Sequence, residues 1–205
     1  MVADGERPIA AGLVGSPPFI RGVAAFLVLA GSGLAAIRFV GGAPVEDGSD
    51  GVLGSVALGA PVMATGVLAL LALRDRAVLL LPAALVLVPM SFLSFALVTL
   101  PLLVPAVMLC VGYGRRSAVE AVSGPRGAAT LVVVVALLVT AVGALFVHQD
   151  PREYTTPTGG GSTSDVITTV EALISLVLTA ASVAAGWYLS APDRRRPGNR
   201  SASVT

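Results

Sequence analysis

The chain has 205 residues, 55% of them hydrophobic and only 12% charged, with a mean hydropathy of +0.89. Soluble domains carry about 25% charged residues, and several apolar runs here reach the ~20 residues needed to cross a bilayer, so the solvent is lipid. A net charge of +1 argues against nucleic acid as a partner, which needs clustered basic surface.

In chain order, residues 1–19 are rich in Gly and Pro and read as a disordered cytoplasmic arm. A first span covers about residues 20–40, with Arg21 at its start and Arg38 near its end. Gly33-Leu34-Ala35 resembles a signal-peptide cleavage site, but the long arm and nearly full-length apolar run favour an anchored span. A short acidic loop (Glu46, Asp47, Asp50) leads to a second span, about 52–73. Its Ser55-x-x-x-Gly59 and Ala60-x-x-x-Ala64 spacings let helix backbones approach closely, either within the bundle or in a dimer.

After Arg74-Asp75-Arg76 comes an uncharged stretch, Ala77 to Tyr113, with four prolines, Pro82, Pro89, Pro101 and Pro105. Its 37 residues exceed one crossing and barely suffice for two. A basic loop, 114–127, precedes a β-branched apolar run at about 128–147, too long and unbroken for a strand. Residues 148–164 read as a polar loop, 168–189 as the last span, and 191–205 as a disordered tail containing Arg194, Arg195 and Arg196.

Arginine placement decides the topology. With the N-terminus inside and the central stretch crossing twice, 11 of the 13 arginines fall inside. A single crossing would put both Arg115/Arg116 and the basic tail outside. The expectation is therefore an all-α bundle of six spans with both termini cytoplasmic. Spans three and four, about 77–94 and 95–112, form a Pro-rich hairpin turning near Ser91–Phe95. Each 18-residue limb would reach about 27 Å, slightly short of a ~30 Å hydrocarbon core.

Few residues in this chain can carry chemistry. All 13 basic residues are arginine, which excludes lysine nucleophiles and Schiff bases and, with the Ala, Val, Gly and Pro load, points to a GC-rich bacterial genome. One cysteine, Cys110, forms no internal pair. One histidine, His148, removes the two-histidine zinc motifs. No metal, cofactor or catalytic residue is expected. The hairpin prolines each withhold an N–H from the carbonyl four residues earlier; they either build a broken-helix site, as in transporters, or merely shape the hairpin.

Glu171 is the one acid inside an expected span, and intramembrane acids are functional candidates. Thr168-Thr169-Val170-Glu171 also spells a capping box, in which Glu171 reaches back to the Thr168 amide. Arg38, His148 and Glu171 share a depth near the outer ends of their spans, so an Arg38–Glu171 pair with a titrating histidine is the sharpest candidate polar site. Trp187, Tyr188 and Tyr113 read as interface anchors.

Three functional classes remain open. The leading expectation is a non-enzymatic protein of the bacterial cytoplasmic membrane, a packing partner in a complex or a component of a small-solute permease. Its partners would be the lipid bilayer and either another membrane protein or a second copy. The alternative is a proton- or ion-coupled transporter using Arg38, His148 and Glu171. A membrane enzyme comes third, because such enzymes need more titratable groups than this core offers.

Overall fold

Prolines and hydroxyl residues begin three of the helices. In the computed structural model, which describes residues 16–41, 48–74, 76–91, 100–117, 125–147, 152–156, 159–163 and 167–191, α1 spans Pro17–Gly41 and α2 spans Gly48–Ala72. A 3-10 turn, Ala77–Leu79, leads into α3, Leu80–Met90, and another, Leu100–Leu102, into α4, Leu103–Ser117. α5 is Pro125–Ala144 and α6 is Thr169–Leu189. Pro17 and Pro125 take first helical positions, where the missing N–H is not needed, and the Ser16 carbonyl accepts from Ile20 N at 3.0 Å.

Four helices, α1, α2, α5 and α6, are long and apolar enough to cross a membrane. The helix over Ala77–Met90 is shorter. Its 3-10 turn and 11-residue α segment reach only about 23 Å, less than the 27 Å expected of that limb. α4 packs against α3, while residues 92–99, and with them most of the expected turn, lie outside the described residues. α4 also runs further than expected, to Ser117. Arg115 and Arg116 occupy its last turn, where the helix dipole favours cations.

One expectation needs correcting. The segment 148–164, read as plain loop, contains an antiparallel ladder of β1, Arg152–Thr156, and β2, Gly159–Thr163, paired from Arg152↔Thr163 to Thr156↔Gly159. Tyr154, Thr155 and Thr156 bring the aromatic and β-branched character that suits a strand.

The bundle is assembled around α2. In its apolar stretch 72% of residues are buried, against 22 to 28% in the other three long helices. It packs against α1, α6 and α3, and less extensively against α5. The α1–α2 seam is antiparallel, and glycine makes it close. A Cβ at Gly31 would meet the Gly59 carbonyl at 2.7 Å and Met63 Cγ at 2.6 Å, and one at Gly66 would meet the Ala24 carbonyl at 2.8 Å. Of the small residues noted in this span, Gly59 therefore serves packing within the chain.

α6 runs parallel to α2: Gly54 lies against Ile167 near their N-terminal ends, and Gly186 against Leu68 near their C-terminal ends. Val134, in the first half of α5, also touches the Gly186 position, so α5 and α6 are antiparallel. Leu27, Leu68, Leu79, Leu87, Leu109 and Val134 fill the core between them. Outward faces carry Phe26, Leu29, Ile37, Val107, Val132 and Val177, all well exposed. So continuous an apolar exterior suits lipid rather than water.

Candidate functional site

The most polar interior surface belongs to α6. Glu171, Ser175, Thr179, Ser182 and Gly186 follow one another at intervals of four, four, three and four residues, which places them on one helix face, and all five are buried. That face lies where α6 meets α2 and α5. Ser182 Oγ donates to the Thr179 carbonyl at 2.7 Å. Ser175 Oγ and Thr179 Oγ1 are buried with no hydrogen-bond partner among the described residues, a condition that costs about 1–3 kcal/mol for each such group. The helical spacing of these hydroxyls was visible in the sequence, where attention to charge passed over it.

At the head of this face the chain builds a reciprocal cap. The Glu171 amide donates to Thr168 Oγ1 at 3.3 Å, and the Thr168 amide donates to Glu171 Oε2 at 2.9 Å. Thr168 itself is extended, with φ −73° and ψ 157°, the usual N-cap conformation. Glu171 as a residue is only 9% exposed and sits in the first turn, where the helix dipole favours an anion.

Arg38 occupies the last turn of α1 and is partly buried. It lies at the same end of the bundle as Glu171, because Ala35 of α1 flanks Gly59 and Ile167 flanks Gly54. α1 and α6 nonetheless pack on α2 and not extensively on each other. His148, the third member of the expected constellation, lies outside the described residues.

The four hairpin prolines stand near the ends of their helices. Pro82 is in the first turn of α3 and Pro89 is its penultimate residue; Pro101 is in the 3-10 turn before α4, and Pro105 is in α4's first turn. Pro82 and Pro105, in first turns, fit without loss of a hydrogen bond within their α segments, whereas Pro89, inside α3, withholds its N–H from the Leu85 carbonyl. The proline deep inside a long helix is Pro61 of α2, which the sequence reading passed over. It is buried and supplies no N–H to the carbonyl of Ala57, itself fully buried.

A second polar cluster occupies the opposite end. Arg76 Nη1 donates to the Trp187 carbonyl and to Ser190 Oγ, so its guanidinium caps the C-terminus of α6. Its Cζ stands 4.1 Å from the Trp187 ring centroid, and that of Arg74 stands 5.8 Å away. Arg116 Nη1 donates to the Ala72 carbonyl at 2.9 Å, capping α2 in the same manner. Cations at helix C-termini are favoured by the dipole. Trp187, expected as a simple interface anchor, is the platform of this cluster.

Comparison with known proteins finds no family model, no curated protein and no solved structure that matches the chain.

Proposed function

We propose that the chain is a non-enzymatic multi-pass protein of a bacterial cytoplasmic membrane, crossing six times with both termini in the cytoplasm, as a subunit of a membrane complex or a component of a small-solute permease. The observation that carries the topology is the parallel run of α2 and α6. α2 and α6 run parallel only if the chain between α2 and α5 returns to the side it left, so a single crossing there is ruled against; two full crossings by α3 and α4 are the form of that return proposed here. The C-terminal ends of α2, α4 and α6 then share the basic side, as the arginine rule requires. The non-enzymatic reading is supported by the use made of Glu171, whose carboxylate completes a helix cap.

Two measurements test this. A periplasmic reporter fused after Gly127 should be inactive; an active fusion overturns the six-span topology. Crosslinking and blue-native mobility after gentle extraction from the native membrane should show an assembly larger than one chain, and a lone monomer refutes the complex.

Coupled transport is the second reading, favoured by the buried carboxylate at the head of a line of buried hydroxyls on α6. Glu171→Gln separates the two roles, since glutamine also serves at the third position of a capping box. If Glu171 carries protons, proteoliposomes of the variant lose dissipation of an imposed pH gradient while folding yield is kept. Equal dissipation by both proteins sinks this reading.

A further inference from the structure

The arginines around Trp187 are more numerous than helix capping requires. Arg116 and Arg76 each serve a carbonyl at a helix C-terminus, but Arg74 serves none. It is exposed, and its contact among the described residues is the indole that Arg76 already covers. Two guanidiniums thus share one ring, and a third lies on Ala72, two residues away from Arg74. Asp75, the one acid of this turn in the sequence, balances at most one of the three charges. An indole face attracts a cation but offers a guanidinium's five N–H donors no oxygen acceptor, and Arg76 Nε is buried with no partner among the described residues.

Like charges held together beside apolar surface call for an anion, and the fork of a guanidinium matches the oxygens of a phosphate. Position selects among phosphates. Trp187 and Tyr188 are 43% and 80% exposed at the end of an apolar helix, the usual depth of an aromatic belt at the headgroup level. We propose that Arg74, Arg76 and Trp187 form a binding site for the phosphate of an anionic phospholipid, with Arg74 as the main donor. The site requires that this end of the bundle lie at the membrane surface and is independent of the number of crossings and of any transport activity.

Trp187 is the single tryptophan of the chain, so its fluorescence reports this site alone. The full chain in phosphatidylcholine nanodiscs would be compared across increasing fractions of phosphatidylglycerol. A saturable change in emission is expected, and Arg74→Gln should raise the half-saturating fraction about fivefold, the loss of one arginine's attraction at an anionic surface. Arg74→Lys should lose part of this, because it keeps the charge without the fork. Arg152→Gln, at the other end, controls for total charge. Emission that does not depend on phosphatidylglycerol, or equal shifts from Arg74→Gln and Arg152→Gln, overturns the proposal. So does an emission change driven by millimolar inorganic phosphate in neutral nanodiscs, which would assign the cluster to a soluble anion.

Discussion

Replacing Gly59 with alanine tests whether the α1–α2 seam is set by backbone contact. Two effects oppose each other. Alanine is the better helix former by about 0.8–1.0 kcal/mol, which favours the variant. Against this, a methyl at 59 runs into the Gly31 carbonyl and lies 3.2 Å from Ala35 Cβ. The first obstacle is backbone and cannot rotate aside, so the helices must separate. Overpacking of this kind costs about 1–3 kcal/mol, and a rigid neighbour puts Gly59 in the upper half of that range. The net expectation is destabilisation by about 1–2 kcal/mol, a factor of about 5–30 in the unfolding equilibrium. Gly33→Ala on α1 supplies the control, since a Cβ there meets nothing within 4 Å and should leave stability unchanged or raised. Denaturant titration in mixed micelles, followed by helical circular dichroism, measures both. If Gly59→Ala proves as stable as Gly33→Ala, the close seam is wrong.

Two further outcomes follow from other parts of the molecule. Thr168→Ala removes the acceptor of the Glu171 amide and should cost about 1 kcal/mol in the same titration, with Thr168→Ser close to wild type; an unchanged midpoint would mean the cap contributes nothing. Cys110 is exposed on the outer surface of α4, six residues or about 9 Å before Arg116 at the helix end. If that surface faces hydrocarbon, a membrane-impermeant maleimide should leave Cys110 unlabelled in nanodiscs and label it after denaturation, because the polar reagent does not enter the hydrocarbon. Rapid labelling in the nanodisc would place this face against an aqueous space.

That the chain forms helices long and apolar enough to cross a membrane was legible in composition alone, because the apolar runs are long and uninterrupted. The start of α6 was equally legible, since Thr168-x-x-Glu171 spells a local hydrogen-bond pattern needing no tertiary information. Other features were hidden for physical reasons. The first hairpin limb was read by hydropathy, which cannot distinguish a 3-10 start at Ala77–Leu79 from α-helix. The pairing of β1 with β2 is hidden because three of the five residues of β2 are glycine, where strand propensity is weak. Which span lies in the middle depends on who packs against whom. The small residues of α2 hinted at close approach but did not name Gly31 and Ala24 as the partners. The cluster around Trp187 joins residues 111 positions apart, beyond any local pattern.

The central place of α2 has a consequence for how the chain comes off the ribosome. α2 is the second helix made, and α1 is at hand to pair with it along the glycine seam. α6, which covers another of its faces, begins 97 residues after α2 ends. At about 5–20 residues per second, the nascent protein spends roughly 5–20 s with that face of α2, including buried Gly54 and Leu68, turned towards lipid or the insertion machinery. Chains truncated before Thr169 are therefore expected to leave an unfinished surface that quality-control proteases can recognise.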